Sequence, residues 1–392
     1  MNRRDLARSA GIGILLIALG GALWSVRGEP TPPTSGAALS PATLLAKQAS
    51  PGFARAEAPR AFRFPEDHGP HPTYQNEWWY FTGVLAGKDG RLFGYELTFF
   101  RFALPPEQDA GRSSAWSTSQ VYMAHFSITD AGGGSFVAFE KVAREAVGLA
   151  GAVAVPFHVW VLDWSAEGPD RSDVVTPLRL RARNGDVAID LELEQGKAPV
   201  LQGEGGLSRK GKALGNASYY YSLTRMPTRG TVVSRGETFE ARGDSWMDRE
   251  WSTSALEPDQ VGWDWLGLAL SDGRELMMYR LRRRDGSSDA ASSGTIVEPD
   301  GQVRRLDAGD VRMTVLSTWQ SERTKATYPS SLRLEVPSAR LDLVLTPLLQ
   351  DQEVVLSFHY WEGAVSARSD NGPSGRGYLE LTGYDGAALG AR

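Results

Sequence analysis

Two Asp-Gly turns, each entered by a tryptophan-rich run and left by a run that ends in arginine, constrain this chain more than any other feature. In the first half Glu77-Trp78-Trp79-Tyr80 opens a run to Leu85, Asp89-Gly90-Arg91 turns it, and the return ends at Arg101. In the second half Trp263-Asp264-Trp265 opens a run to Leu270, Asp272-Gly273-Arg274 turns it, and the return reaches Arg280. Asp-Gly between alternating apolar runs marks a hairpin, because the turn needs positive φ angles that Gly and Asp tolerate. The shared design points to a duplicated architecture. The alternative is a pair of unrelated hairpins of the kind any antiparallel protein carries.

Past Phe62 no segment sustains a 3.6-residue apolar period, and short alternating runs bounded by Gly, Pro, Asn and Asp recur to the end. The fold class is therefore all-β, with strands expected at 78–85, 91–103, 119–129, 155–164, 178–182, 187–194 and 217–225. A second series is expected at 236–244, 262–271, 275–283, 294–298, 313–319, 331–336, 341–346, 352–367 and 377–384. This spacing suits a barrel or a sandwich. A small closed barrel holds either side chains or one apolar ligand. A length of 392 residues allows two cores, and the boundaries read as a targeting segment over 1–27, a Pro/Ala-rich linker over 28–61, and domains over 62–252 and 253–392.

Arg3, Arg4 and Arg8 precede an apolar stretch over 10–26, with charge resuming at Arg27. That is an export signal or an uncleaved membrane anchor, and the Arg3-Arg4 pair loosely resembles a twin-arginine signal. The expected location is periplasmic or otherwise extracytoplasmic, with anchorage to the inner membrane as the alternative to cleavage. The absence of cysteine removes disulfides, thiolate sites and a lipid-modified cysteine together. A net charge of -5 leaves no basic excess to track phosphates, so nucleic acid is not an expected partner. The five histidines have no zinc-ligand spacing, and neither a GxSxG elbow nor a glycine-rich phosphate loop occurs. No metal or cofactor is expected.

The densest polar and aromatic block runs over 242–251, Arg-Gly-Asp-Ser-Trp-Met-Asp-Arg-Glu-Trp. Asp248 and Glu250 beside Trp246 and Trp251 read either as acids whose pKa rises in a closed cavity or as a structural joint in which Arg249 pairs a carboxylate. In the return strand of the first hairpin Tyr95, Leu97, Phe99 and Arg101 share one face, and Glu96, Thr98 and Phe100 the other. Either face brings a charge inward, to be paired or to snorkel at a barrel mouth. His125 lies in an apolar strand and reads as hydrogen-bonded core or as a catalytic assistant. Glu77, Trp78 and Trp263, at the entries of the two hairpins, complete the ligand-facing candidates.

Several motifs, in order, resemble the AttH-type lipocalin-like proteins related to carotenoid 1,2-hydratases, often labelled predicted secreted hydrolases. The residues that carry the resemblance are His71-Pro72, Asn76-Glu77-Trp78-Trp79-Tyr80-Phe81-Thr82-Gly83, Gly94-Tyr95-Glu96-Leu97-Thr98-Phe99-Phe100-Arg101 and Ala124-His125-Phe126. In the second half they are Ser245-Trp246-Met247-Asp248-Arg249-Glu250-Trp251, Gly262-Trp263-Asp264-Trp265, Tyr360-Trp361-Glu362-Gly363 and the stretch 377–384. The resemblance implies two consecutive lipocalin-like antiparallel β-barrels, a pocket for an apolar or amphiphilic small molecule, and a transporter as a partner. Relatives include hydratases of isoprenoid double bonds and cyclising enzymes. The hydratases carry His where Arg249 stands, and an acid near Met277-Met278-Tyr279 where this chain has none, which argues against carotenoid hydration itself. Fold does not fix activity. The favoured reading is an exported protein binding an apolar or isoprenoid-like molecule. The alternative is a hydratase, lyase or isomerase with Asp248 or Glu250 as acid and His125 or Tyr95 assisting. If one barrel does the work, the site is expected to be lined by the first and closed by residues 246–251, with the second barrel mainly a scaffold.

Overall fold

A computed structural model describes residues 51–104, 118–170, 174–253 and 256–384. The targeting segment and the linker up to residue 50 lie outside them. No helix of the described residues is long and apolar enough to cross a membrane. The last part of the expected linker is packed against the first domain. Ala56 is fully buried, the Ala54 N–H donates to the Thr73 carbonyl at 2.8 Å, and the Tyr219 hydroxyl donates to the Ala58 carbonyl at 2.9 Å.

The chain forms two antiparallel sheets. The first comprises β1 (Asn76–Gly87), β2 (Leu92–Ala103), β3 (Gln120–Asp130), β4 (Ser135–Arg144), β5 (Ala150–Val153), β6 (His158–Val161), β7 (Trp164–Glu167), β8 (Leu178–Asn184), β9 (Val187–Leu193), β10 (Val200–Leu201), β11 (Leu207–Arg209), β12 (Ala217–Ser234) and β13 (Glu237–Ser252). The second comprises β14 (Gln260–Leu270), β15 (Glu275–Arg283), β16 (Ser293–Val297), β17 (Val303–Asp307), β18 (Arg312–Gln320), β19 (Thr327–Val336), β20 (Leu341–Pro347), β21 (Glu353–Val355), β22 (His359–Arg368) and β23 (Gly375–Thr382). The strand order is 4-3-2-1-13-12-9-8-7-6-5 in the first and 17-16-15-14-23-22-20-19-18 in the second. Each sheet curls into a barrel-like domain, and in the first the curl brings β6 against β2, β3 and β4.

The two halves share one plan. Each opens with a hairpin at the centre of its sheet and returns its last strand beside the first, β13 beside β1 and β23 beside β14. The two turns close alike, with Gly87 N–H donating to Arg91 O and Leu270 N–H to Arg274 O, both at 2.8 Å. Gly90 and Gly273 take φ values of +83° and +86°, which a side chain disfavours. Each hairpin also sets an acid opposite an arginine, Glu77 against Arg101 and Asp264 against Arg280, the second pair sitting closer to its turn.

Side chains fill both interiors: Trp79, Phe81, Phe99, Phe126 and Trp164 in the first, and Leu268, Leu334, Leu343, Trp361 and Leu381 in the second. The sheets pack on one another, β1 against β23 and β2 against β22. Consequently β1, β2 and residues 245–252 of β13 are largely buried on both faces; β1 and β2 are apolar nearly throughout instead of alternating, while β13 carries Asp248, Arg249 and Glu250 into buried positions. The block over 242–251 lies within a strand, and in it Arg249 pairs with a carboxylate, that of Glu77, as the structural reading expects. The strand expected to stop near 244 continues as β13 for 16 residues, paired with β1 on one side and β12 on the other.

Candidate active site between the barrels

Alternation along β1, β2 and β13 sorts the sequence-predicted residues into two groups. Glu77, Tyr95, Arg101, Arg249 and Trp251 face into the first barrel. Glu77 accepts from Arg101 Nε at 2.6 Å and from Arg249 Nη2, and lies 2.7 Å from His71 Nδ1. The imidazole of His71 stacks on Trp251 at 3.8 Å, and its other nitrogen lies 3.1 Å from Asp67, which also pairs with Arg60. Burial opposes the charge on Glu77, but the two guanidiniums and His71 hold its carboxyl far below the usual range. This knot ties the segment around residues 60–77 over the barrel. The Tyr95 hydroxyl donates to Ser245 Oγ at 2.7 Å within the same interior. These five residues, proposed from sequence as site residues, therefore lie outside the cavity, because both faces of the strands are buried and the faces could not be told apart by polarity.

The other face opens on a cavity of about 150 Å³ between the two sheets. The first sheet contributes Trp78, Tyr80, Glu96, His125, Asp248 and Glu250, and the second Trp263, Trp265, Tyr279, Tyr360, Glu362 and Glu380. Trp246 stands behind Asp248 and donates its indole N–H to Oδ1 at 2.6 Å. The second barrel is thus half of the site and not a scaffold to the first.

The cavity has an excess of acid. Glu250 pairs with Lys210, whose Nζ lies 3.0 Å from Oε1 and 4.1 Å from the centre of the Tyr279 ring. Lys210 is the one lysine or arginine among the described lining residues. Among the described residues Asp248, Glu96, Glu362 and Glu380 have no such partner. Asp248 accepts from Ser222 Oγ at 2.5 Å, from Trp246 and from the Tyr220 hydroxyl, which itself accepts from Trp265 Nε1 at 3.0 Å. Burial outweighs these donors and pushes Asp248 up to about 7. Glu362 and Glu380 sit directly opposite one another on β22 and β23, where like charges destabilise each other. Burial and this neighbour raise Glu362 well above the carboxylate range, and burial carries Glu380 up to about 8. Tyr80 donates to Glu362 Oε1 at 2.5 Å and Trp263 to Glu380 Oε1 at 2.9 Å, while Glu362 Oε2 has no hydrogen-bond partner among the described residues. Burial raises Glu96 as well.

This space therefore holds carboxyls whose hold on their protons burial strengthens, amid indole and phenol rings. One of them, Asp248, is poised to release its proton, because a set of hydrogen-bond donors stabilises the anion left behind. No group of three or more His, Asp or Glu side chains arranged to hold a metal occurs among the described residues.

Sequence reasoning placed Asp248, Glu250, His125, Glu96, Trp78 and Trp263 on this cavity but passed over Glu362, Glu380, Tyr80, Tyr220 and Lys210. A signal for the first two existed. Tyr360-Glu362-Ala364 and Tyr378-Glu380-Thr382 are alternating faces that each carry one carboxyl in otherwise apolar strands. Lys210 lies outside any strand and had no such signal.

Comparison with known proteins bears on this arrangement. Curated protein sequences offer no match. Among solved structures, one described as a putative AttH from Nitrosomonas europaea is 32% identical over 86% of this chain and 99% of its own, with a TM-score of 0.72. Kievitone hydratase from Nectria haematococca, 16% identical over 86% of this chain and 97% of its own at a TM-score of 0.64, shares the fold. A family model described as AttH-like matches residues 55–384, which takes in both barrels and the cavity between them, and the chain accordingly belongs to the AttH-like family.

Proposed function

We propose that the cavity between the barrels is the active site of an acid–base enzyme that adds water to, or isomerises, an apolar unsaturated small molecule. The observation that carries this reading is the set of buried carboxyls without cationic partners in an otherwise aromatic and aliphatic space. A carrier for an apolar ligand gains nothing from such groups, since each uncompensated polar group opposes burial. The kievitone hydratase fold relative bears a hydratase name, and hydration is chemistry that this donor set fits.

In the reaction, Asp248 gives its proton to one alkene carbon. The π pair forms the new C–H bond, and positive charge develops on the neighbouring carbon. The faces of Trp78, Trp263 and Trp265 and the nearby carboxyl oxygens stabilise that charge. Attack by water, followed by loss of a proton from its oxygen, yields an alcohol. Loss of an adjacent C–H proton instead yields the isomerised alkene. On the pattern of its first 27 residues, we read the protein as working outside the cytoplasm.

The test is to incubate the purified protein with linear isoprenoid alkenes in ¹⁸O-labelled water and follow label uptake by mass spectrometry. The wild type should yield a labelled alcohol, and Asp248→Asn should lose about 10²–10⁴-fold in rate while the same alkene still quenches tryptophan fluorescence. Undiminished turnover in Asp248→Asn would overturn the assignment of the acid. Tight binding by the wild type with neither label uptake nor isomerised product would leave carriage, alone or handing the ligand to a transporter, as the function.

A further inference from the structure

Hydration needs a group that takes the proton from the attacking water, a task to which Glu362 and Glu380, whose carboxyls burial raises, are poorly suited. A second set of side chains enters the same cavity from β3, β4 and β22. His125 and Glu140 are directly opposite each other across β3 and β4. His125 Nε2 lies 3.1 Å from Glu140 Oε2, and His125 Nδ1 lies 2.6 Å from the Tyr360 hydroxyl. Ser357 Oγ, just before β22, donates to Glu140 Oε1 at 2.6 Å, so the second barrel grips the far end of the set as well. The imidazole is fixed in plane, lying nearly parallel to the Tyr360 ring at 5.8 Å and edge-on to Phe100 at 5.4 Å. Both His125 and Tyr360 line the cavity, whereas the Glu140 side chain reaches the surface with 16% exposure.

The hydrogen-bond inventory constrains the direction of this chain of groups. Glu140 is held below the usual carboxylate range: burial opposes its charge, and the bonds from His125 and Ser357 prevail. An ionised carboxylate accepts only, so His125 Nε2 must carry a proton and donate it. With the imidazole neutral, as the relay requires, Nδ1 is free to accept and Tyr360 O–H donates to it. The lone pairs of the phenol oxygen are left facing the cavity. Tyr360 is two residues from Glu362 on the same face of β22, so this oxygen lies beside the acid pair. The titratable neighbours are Glu96 on β2, Glu140 on β4, and Glu362 and Glu380 on β22 and β23.

The geometry points to a Tyr360–His125–Glu140 relay as the base of the reaction, with Tyr360 receiving the proton of the attacking water, His125 storing it and Glu140 acting as a positioning residue. This rests on the hydration reading of the cavity. As water oxygen bonds to the cationic carbon, one water proton passes to Tyr360 Oη while the phenol's own proton passes to His125 Nδ1, making an imidazolium whose charge Glu140 balances. The reverse transfer returns a proton through Tyr360 to the carboxylate that protonated the alkene, either directly or by a water. Enzyme and proton count are then restored, and the net change is H and OH added to the alkene. The imidazole needs no ring flip. The arrangement follows the logic by which a carboxylate orients and charges a histidine that serves a hydroxyl group.

Two measurements on the full-length protein test the relay. Long-range ¹H–¹⁵N correlation of the five histidines, assigned with His125→Gln, should show His125 as the neutral Nε2–H tautomer with an accepting Nδ1. Glu140→Gln should abolish that preference. A neutral Nδ1–H tautomer in the wild type would mean that His125 donates to Tyr360, and would overturn the relay whatever the substrate. With an alkene that the labelled-water assay shows to be turned over, Tyr360→Phe should lower kcat by about 10²–10⁴-fold with little change in alkene binding. Glu140→Gln should lower kcat less and move the acid limb of its pH profile. Full turnover in Tyr360→Phe alongside dead Asp248→Asn would overturn the relay and leave hydration standing. An Nε2–H tautomer in a protein that turns over no alkene would instead sink hydration and leave the hydrogen-bonded triad in place.

Discussion

Glu77 and Asp248 stand on neighbouring strands of one sheet, both buried, and the protein treats them in opposite ways. Glu77 points into the first barrel, where Arg101 and Arg249 neutralise it and the usual three-way bonding of an ionic core is met. Asp248 points into the space between barrels, where tyrosine, serine and tryptophan supply hydrogen bonds but no positive charge. Neither group is less buried than the other. Counter-charge alone decides that one carboxyl is locked as an anion and the other is left able to exchange a proton. A buried acid in this fold is therefore structural when an arginine reaches it, and available for chemistry when only neutral donors do.

The largest effect expected from this contrast follows removal of the anion in the barrel. Glu77→Gln leaves Arg101 and Arg249, both fully buried, facing one another without compensation. Breaking a buried ion pair from one side costs about 3–5 kcal/mol. Urea unfolding followed by tryptophan fluorescence should show a midpoint shift of that size. A variant as stable as the wild type would mean that the knot is dispensable and the contrast is only one of appearance.

The second effect is a reversal of slope with pH. Asp67 at about 2 and Glu77 are held below their ordinary values of 3.8 and 4.5. Their stabilisation is present above those values and is lost as pH falls through the lower ones. Asp248 and Glu380 are moved the other way, from 3.8 to about 7 and from 4.5 to about 8. Between about pH 4 and pH 8 the folded chain thus holds protons that the unfolded chain has released, and stability falls as pH rises. Melting temperature should accordingly peak near pH 4–5 and decline on both sides. Asp248→Asn should flatten the decline between pH 4 and 7, where the single group accounts for up to about 4 kcal/mol. An unchanged slope in that variant would show that Asp248 is not protonated in the folded protein.

How much of this was legible follows from the same physics. The hairpins were readable because an Asp-Gly turn has a local cause, and the acid at each hairpin entry and arginine at each exit were already visible as echoes. What alternation could not tell was which group faced which space. In a one-sided sheet the polar face marks the outside, but β1 and β2 are largely buried on both faces, so Tyr95 and Glu96 looked equally suited to a site. The partners of Asp248 were out of reach for a different reason. Glu362 and Glu380 come more than a hundred residues later and meet it through the packing of one barrel on the other, which no local pattern encodes. The same packing brings Tyr360 to His125.

The smallest effect concerns the second barrel's version of the arginine-held acid. Asp264 is as buried as Glu77, and it accepts from Arg280 Nε at 2.8 Å, Arg282 Nε at 3.0 Å and the Tyr384 hydroxyl at 2.9 Å. Its arginines differ from those of Glu77. The side chains of Arg280 and Arg282 keep 15% and 12% of their surface in water, against 1% and 0% for Arg101 and Arg249. Water can therefore solvate the guanidiniums once the carboxylate is gone, and the Asn amide oxygen can still accept one of their bonds. The cost of Asp264→Asn should be about 1–2 kcal/mol, the range for a lost charge-assisted hydrogen bond with solvent access, and well under that of Glu77→Gln. Measured in the same urea titration, equal losses in the two variants would show that arginine exposure does not set the cost. A smaller loss for Asp264→Asn would establish that the two barrels use one device at different depths.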